Sequence, residues 1–528
     1  MRRKILIVRF SSLGDIILTS PFVLNLKINF PDSVVCYLTK EKYKPLVAAF
    51  DGVDKIVTLD EKVPALGYYK LLNELDRENF DTIVDLHGNF RSWLAGKMIT
   101  ADRKVIYPKR RLERLRIVRK KQIPRQWPHT IDLYNDCIRQ LRGRIYARRP
   151  VIRARPEYKI GTIDFSGDSK YVFIAPGAAH PDKQWGLDKF AEVARRLFEY
   201  QGCKIIWSVL AGDKGKFNLR EKIPPESFIE LVDYPVEKLK DIIARCRLTL
   251  ANDSGLAHLS SAVAVPVLAV FGPTHPALGF SPRGLHDRVV EVDEPCRPCS
   301  LHGKKPCYRE ERFCLNRISV EMVYEAAKEM LLADPNKFPA IFFDRDGTVV
   351  VDKDYLADPE GVEFEKGAVE ALKLAVENKY KIVIVSNQSG VARGFFTLDE
   401  VERVNARLLE MLARERVNID AVYYCPHHPK GKVDEFTSEC FCRKPGPGMA
   451  EEAARTLKLD LRRSAIIGDT SADVNFGRVN GMLPLLVRTG YGRKTEQKLS
   501  EVRHLNEEIF AFDNLLEAVQ YIVGMKKE

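Results

Sequence analysis

Two carboxylates stand two residues apart in Asp344-Arg345-Asp346-Gly347-Thr348, directly after the apolar run Ala340–Phe343. That run reads as a buried strand. Side chains repeat every second residue along a strand, so both carboxylates can reach one site at its end. One can attack phosphorus while the other handles the leaving-group proton, and Gly347 lets the chain turn away. An acidic pair alone is usually a solvated loop; Asp-x-Asp-Gly-Thr after an apolar strand points to phosphoryl transfer. Further parts follow in order. Ser386-Asn387-Gln388 come after Ile382–Val385, and their hydroxyl and amides suit a phosphoryl oxygen. Arg443 and Lys444 supply cations for developing negative charge. Asp469 follows Ala465–Gly468 and, with Asp344 and Asp346, offers the oxygen ligands Mg²⁺ prefers. All lie after strands, where open α/β sheets place ligands.

Metal-type spacing appears twice. Cys425-Pro-His427-His428, then Cys440-Phe-Cys442, gives three sulfurs and an imidazole. Cys425, His427, Cys440 and Cys442 fit tetrahedral Zn²⁺, with His428 outside the set. The second pair abuts Arg443 and Lys444, so a structural zinc would fix both cations. Cys296, Cys299, Cys307 and Cys314, with His302 among them, form a second cluster. It reads either as a thiolate metal site or as a Cys-rich loop, and is expected to lie away from the proposed chemistry. Eleven cysteines, several tightly clustered, suit metal binding in a reducing cytoplasm better than a disulfide scaffold.

These residues need elements to position them. At 528 residues, two to four domains are expected, and 45% hydrophobic with 30% charged residues is globular. No apolar run reaches membrane-spanning length. The opening Met1–Val8 imitates a signal peptide, but Arg9 and Asp15 interrupt it, so it reads as a first strand. Strands are expected at Ile5–Arg9, Val34–Leu38 and Thr82–Leu86, then at Tyr171–Ala175, Ile205–Leu210, Leu248–Ala251 and Val267–Phe271. A third group starts at Ala340, with strands at Ile382–Ser386, Ala421–Tyr424, Ala465–Gly468 and Pro484–Val487. Polar breaks fall at Asp164–Ser169 and Asp334–Pro339. Strands alternating with helices imply the α/β class with parallel sheets. The boundaries are 1–162, 163–334 and 338–528. No tandem repeat or low-complexity tract occurs.

Loops of the first two blocks add weaker signals. The segment from Arg9 to Asp15 ends the first strand and enters a helix, whose amino end suits an anion; Gly14 allows close approach, and Asp15 reads as either a helix cap or a catalytic base. Asp85-Leu-His-Gly88, Lys183-Gln-Trp185, Asp253-Ser254-Gly255-Leu-Ala-His258 and Phe271-Gly-Pro-Thr274 each follow a strand. Lys183 suits a diphosphate, and Ser254 with nearby amides could cradle one. The net charge is +12, and residues 101–150 carry sixteen Lys/Arg against four Asp/Glu. Such a local field favours anionic partners, with Arg110, Arg111 and Arg114 as representative contacts. A nucleic-acid role is set aside: interleaved aromatics and nucleic-acid motifs are missing.

Residues 340–492 resemble the D-glycero-D-manno-heptose 1,7-bisphosphate 7-phosphatases of the haloacid dehalogenase superfamily. The likeness rests on the Asp344–Thr348 motif, Asp352 to Tyr355, Ser386 to Gly394, the zinc loop, Cys442–Pro445 and Gly468-Asp469. It implies that Asp344 is the nucleophile of an aspartyl-phosphate. Asp346 would be the acid and then the base, and Asp352, Tyr355, Ser386, Asn387, Gln388 and Ser389 would touch substrate. The site would be capless. Thr470 stands where some members carry Lys, and histidinol phosphatases share most of these motifs. Residues 1 to about 332 resemble the heptosyltransferases of glycosyltransferase family 9, on Ser11–Asp15, Asp85–Gly88, Lys183-Gln-Trp185, Asp253–His258 and Phe271–Thr274. That resemblance implies two Rossmann-like domains in a GT-B arrangement, an acceptor domain and then a nucleotide-sugar domain. Asp15 would be the base, and Lys183, Asp253, Ser254, Gly255 and His258 would hold ADP-heptose. The implied enzyme is bifunctional and cytoplasmic, with peripheral attachment to the inner membrane left open. Its partners would be ADP-heptose, heptose 1,7-bisphosphate and a Kdo-lipid A type acceptor at the inner membrane surface. The alternative is another sugar transferase fused to a histidinol-phosphate-type phosphatase.

Overall fold

The computed structural model describes residues 2–154, 159–160, 163–165, 169–209, 219–501 and 509–525. The chain divides into two compact units, Met1–Asp334 and Pro335–Glu528. In the first unit, β1 (Lys4–Val8), β2 (Val34–Lys40), β3 (Lys55–Leu59), β4 (Thr82–Asp85) and β5 (Arg103–Ile106) form a parallel sheet of order β3-β2-β1-β4-β5. A short antiparallel pair, β6 (Lys159–Ile160) with β7 (Ile163–Asp164), follows. The expected break at Asp164–Ser169 falls here, and its residues 166–168 lie outside the described residues.

The second sheet contains β8 (Lys170–Ala175), β9 (Cys203–Val209), β10 (Phe228–Val232), β11 (Leu248–Asn252), β12 (Val267–Val270) and β13 (Arg288–Val290), in the order β10-β9-β8-β11-β12-β13. Leu210, the expected end of β9, lies outside the described residues. One apolar cluster, including Ile7, Phe22, Tyr134, Phe173 and Leu259, runs through both sheets of this unit. Central strands with helices on both faces must be apolar along their length, which is why β1 and β8 read clearly in the sequence.

The second unit has a six-stranded parallel sheet: β14 (Ala340–Phe343), β15 (Lys381–Asn387), β16 (Ala421–Cys425), β17 (Ala465–Gly468), β18 (Leu483–Val487) and β19 (Phe510–Phe512). Its order is β16-β15-β14-β17-β18-β19. Ile341, Phe343, Ile384, Leu485 and Val519 lie in its core. β14 and β17 are neighbours, so Asp344 and Asp469, one residue past each, emerge side by side. Between β14 and β15 lie a turn at Pro359–Gly361 and the helix Ala368–Glu377, without an inserted domain. Ser386 and Asn387 both belong to β15, so the strand runs one residue past the expected Ile382–Ser386. No helix among the described residues is long and apolar enough to cross a membrane.

Candidate active sites

Asp344 is buried where β14 ends; its backbone N–H donates to the Ile467 carbonyl at 2.9 Å, which ties it to β17. Its Oδ1 lies 2.8 Å from Lys444 Nζ, and that ammonium lies 2.6 Å from Asp473 Oδ1 and donates to the Val385 carbonyl at 3.0 Å. Carboxylate oxygens of Asp344, Asp469 and Asp473 all lie within 4.8 Å of one another, and all three residues are buried. Burial first, and then the charge of Asp473, push Asp344 well above the usual carboxylate range against the pull of Lys444. The same two causes push Asp469 up to about 7. Burial works against the Lys444 charge, but Asp344 and Asp473 hold its proton above the ordinary lysine range.

This cluster has three buried carboxylates to one ammonium. Asp469 Oδ2 accepts the Tyr491 N–H at 2.7 Å, while its buried Oδ1 has no hydrogen-bond partner. A Cβ at Gly347 would stand 2.5 Å from Asp469 Oδ2, and one at Gly490 would stand 2.3 Å from it. Both glycines also have positive φ, of 78° and 49°. Small backbone, an orphaned oxygen and excess negative charge fit a hard divalent cation such as Mg²⁺.

Asp346 is placed differently from the expectation that its side chain joins Asp344 and Asp469. Its carboxylate is gripped by the buried Arg345, at 3.0 Å to Oδ1 and 3.1 Å to Oδ2. Oδ2 also accepts from Gln388 Nε2 at 2.8 Å and Ser386 Oγ at 3.3 Å. The third clustered side chain is instead Asp473. It lies on the helix Ser471–Asn480 and also receives the Thr470 N–H at 3.0 Å. Sequence reading missed it because an acid at the third position of a helix reads as a cap. Asn387 is committed too: its side chain makes two hydrogen bonds to the backbone of Lys444, at 2.9 and 3.1 Å. Asn387 therefore positions Lys444, and Gln388 positions Asp346. Ser389 begins the short helix Ser389–Arg393. Asp352 accepts the Asp354 N–H at 3.0 Å, and Tyr355 is exposed, edge-on to Phe395 at 4.7 Å.

The zinc-type set is assembled. Cys440 Sγ lies 3.2 Å from Cys425 Sγ and 3.1 Å from Cys442 Sγ, and His427 Nδ1 is 3.8 and 3.6 Å from Cys425 and Cys442. A tetrahedron on bonds of about 2.3 Å has edges near ~3.8 Å, so these donors fit one zinc ion. Hydrogen bonds from Cys425 and then Cys442 hold the Cys440 thiol below the ordinary thiol range. His428 is outside the set, where its Nδ1 accepts the Lys430 N–H at 3.1 Å. Arg443 donates its N–H to Cys440 Sγ at 3.3 Å and its guanidinium to the His427 carbonyl at 3.2 Å. The loop therefore anchors the cation next to Lys444.

In the first unit, Asp15 sits in the first turn of the helix Leu13–Ile17. Its Oδ2 accepts from Ser12 N–H at 3.2 Å and Ser12 Oγ at 2.8 Å, and lies 2.8 Å from an Arg9 nitrogen. Burial alone would raise the Asp15 carboxyl; Arg9 and Ser12 outweigh it and hold it at about 2. Burial, reinforced by Arg9, holds the neighbouring His87 at about 3 and therefore neutral. The capping contacts are thus present. Gly14 serves close approach, but to protein: a Cβ there would lie 2.7 Å from the His258 ring.

Lys183 Nζ is 2.5 Å from Asp253 Oδ2, which also accepts from Thr274 Oγ1 at 2.6 Å. Ser254 stands at the N-cap position of the helix Gly255–Ala262, with no capping bond from its side chain. Buried Ser254 Oγ and His258 Nδ1 have no hydrogen-bond partner, so both remain available to a polar ligand. Two expectations change here. Arg114 is buried, donating to Thr130 Oγ1 at 3.1 Å and lying 4.5 Å over the Phe280 ring, so it is not part of an exposed basic face. The Cys296–Cys314 loop is not remote: a Cβ at its Gly303 would lie 2.5 Å from the Lys183 stem, and His302 is within electrostatic range of Asp15.

Comparison with known proteins agrees with both halves. Residues 68–307 match the model for glycosyltransferase family 9 (heptosyltransferase), and residues 441–518 match an HAD-hydrolase-like model. The D-glycero-beta-D-manno-heptose-1,7-bisphosphate 7-phosphatase of Salmonella typhi is 42% identical over 153 residues, 29% of this chain and 81% of that protein. Its counterpart in Photorhabdus laumondii is 35% identical over 190 residues, 36% of this chain and 97% of that protein. A solved family 9 glycosyl transferase from Veillonella parvula shares the fold at a TM-score of 0.51 and 22% identity, covering 62% of this chain and 97% of that one. The chain is an enzyme that joins a family 9 glycosyltransferase to a phosphatase, and its second unit belongs to the D-glycero-D-manno-heptose 1,7-bisphosphate 7-phosphatase family of haloacid dehalogenase-like hydrolases.

Proposed function

We propose that the chain transfers heptose from ADP-heptose to the lipopolysaccharide inner core and also hydrolyses the 7-phosphate of D-glycero-D-manno-heptose 1,7-bisphosphate. The observation that carries the phosphatase reading is the pair of differently held carboxylates: Asp344 against Lys444, and Asp346 gripped by Arg345 and Gln388. An Asp344 oxygen attacks phosphorus, forming an aspartyl-phosphate as the bond to the sugar's 7-oxygen breaks. That oxygen takes a proton from Asp346. Asp346 then accepts a proton from water as the water attacks phosphorus, releasing inorganic phosphate and restoring Asp344. Lys444 and Arg443 offset the phosphoryl charge. Mg²⁺ held by Asp344 and Asp469, with Asp473 beside them, would screen charge between nucleophile and phosphoryl group. Asp352 and Tyr355 lie on a loop, and Ser389 at the start of the helix Ser389–Arg393, positions suited to a small substrate. Zn²⁺ on Cys425, His427, Cys440 and Cys442 would be structural.

For transfer, residues 163–334 hold the nucleotide sugar through Lys183, Asp253, Ser254, Gly255 and His258. Residues 1–162 meet a Kdo-lipid A type acceptor at the inner membrane surface. Asp15 is ionised at working pH, the state a base requires, and would take the acceptor hydroxyl's proton. Residues 338–528 form the phosphatase. ³¹P NMR with Mg²⁺ tests the phosphatase reading: heptose 1,7-bisphosphate should lose its 7-phosphate. Faster release from histidinol phosphate would replace this substrate assignment. Transfer from ADP-heptose to Kdo-lipid A and to its heptosylated form tests the other half.

A further inference from the structure

Four cysteines of the first unit take no part in either reaction. Cys296, Cys299, Cys307 and Cys314 all line one cavity of about 10 Å³. That is the space of one water-sized body. All four are free thiols. Their spacing places them on one excursion between β13 and the helix Val320–Ala333. The Cys299 N–H holds this excursion to the Pro273 carbonyl at 2.8 Å.

The surroundings suit thiolates around a cation. Four thiolates with a divalent ion carry two surplus negative charges. Lys305, Arg309 and Arg312 line the same cavity against Asp182 and Glu311, so its charged lining is cationic on balance, and Arg309 Nη1 approaches Cys296 Sγ at 3.9 Å. Such second-layer donors are a regular feature of thiolate metal sites. The thiols are gathered less closely than the Cys425 set, so binding would tighten the loop.

We infer that Cys296, Cys299, Cys307 and Cys314 form a second metal site, a four-thiolate centre for a zinc-class transition-metal ion, which fixes the loop bearing Gly303 against Lys183. Sulfur donors select zinc or iron over Mg²⁺. The loop reaches the transfer site in two places. Gly303 rests on the stem of Lys183, and Arg312 donates to the Pro181 carbonyl at 3.0 Å, two residues before Lys183. Lys183 would lose that backing if the loop loosened. This positioning role rests on the proposed nucleotide-sugar site; the metal site itself does not.

Elemental analysis of the full chain, purified without chelator, is the direct test. Two zinc-class ions per chain are expected. One should be lost in Cys299→Ser/Cys307→Ser, and the other in Cys440→Ser. A single ion in wild type that survives Cys299→Ser/Cys307→Ser overturns the site. Because that variant could misfold, wild-type thiols should also be alkylated before and after chelation and mapped by mass. Protection of these four cysteines that chelator removes supports the site. Labelling without chelator overturns it, as does a mass loss showing disulfides within 296–314. For the positioning role, Cys299→Ser/Cys307→Ser should raise the transfer KM for ADP-heptose roughly tenfold or more, with phosphatase unchanged. An unchanged KM removes that role and leaves the metal result standing. No transfer by wild type would instead count against the proposed transferase substrates.

Discussion

Asp344 and Asp15 both stand just beyond the first strand of a parallel sheet, yet the protein treats them in opposite ways. Asp344 shares a buried cluster with Asp469 and Asp473, and among the described residues Lys444 is the cation ion-paired there, to Asp344 and Asp473. Asp15 has Arg9 at 2.8 Å and two donors from Ser12. One carboxyl is driven up by burial and neighbouring negative charge; the other is held at about 2. The second unit thus leaves a local charge deficit that a divalent cation can close. The first unit closes its own. A charge left unbalanced on burial marks a ligand site more strongly than the acid alone, because unpaired buried charge is expensive.

Removing the proposed attacking atom is the strongest way to break this comparison. Asp344→Asn should lower phosphate release by at least about 10³-fold while transfer continues, since losing a nucleophile costs far more than losing a contact. Release above a thousandth of wild type would reject Asp344 as nucleophile. Asp15→Asn should slow transfer by roughly 10²–10⁴-fold, the usual worth of a positioned base, and leave phosphatase unchanged. Near-wild-type turnover would return Asp15 to being only a helix cap.

Acid titration sharpens the same contrast. The folded Asp15 carboxyl is held at about 2, below its ordinary 3.8. A depressed carboxyl stabilises the fold above its unfolded value and loses that contribution as pH falls through its folded value. The melting-temperature gap between wild type and Asp15→Asn should therefore be constant above pH ~4 and shrink toward pH ~2. A gap that keeps changing above that window would contradict the Arg9–Asp15 pairing.

What the sequence revealed follows burial. The expected strands lie where apolar runs are covered on both faces. β3, β5, β10, β13 and β19 were not anticipated, and each lies at a sheet edge. Arg103–Ile106 buries only Val105, and Phe510–Phe512 is half-buried throughout. Edges need no continuous apolar run, so periodicity fades there. β16 is an edge too, but Ala-Val-Tyr-Tyr-Cys is apolar enough to show. Asp344, Lys444, Asp469 and the zinc-type loop were legible because their types and order are distinctive. Asp473 and Gly490 were not: one resembles a cap, and the other acts only through the room it leaves for Asp469. Arg114 looked like its exposed neighbours because charge counts do not reveal which face of a helix is covered.

Cys440→Ser makes a smaller cut. It should remove zinc from the Cys425 set and lower phosphatase about 10- to 100-fold through misplacement of Arg443, a range typical for lost metal support. Transfer should be unaffected. Full phosphatase activity in zinc-free Cys440→Ser would show that Arg443 needs no metal to hold it.

The smallest expected effect concerns the basic window and separates surface from interior. Arg111, Arg116 and Arg119 are exposed on the helix Arg111–Lys120, beside Leu112 at 82% and Leu115 at 42% exposure. Exposed cations with apolar neighbours suit an anionic lipid surface. Arg116→Gln should raise the acceptor KM only about fivefold at low salt, near the ~1 kcal/mol of one cation at such a surface. The difference should vanish at high salt, where exposed charges are screened. Arg114→Gln should behave otherwise. Its guanidinium packs on Phe280 and bonds to Thr130, so its loss should lower thermal stability by about 1–3 kcal/mol without steepening the salt dependence of KM. If Arg116→Gln leaves KM unchanged at every salt concentration, the exposed face is merely solvated. If Arg114→Gln instead shows the salt-dependent KM change, the acceptor reaches the buried side of the helix.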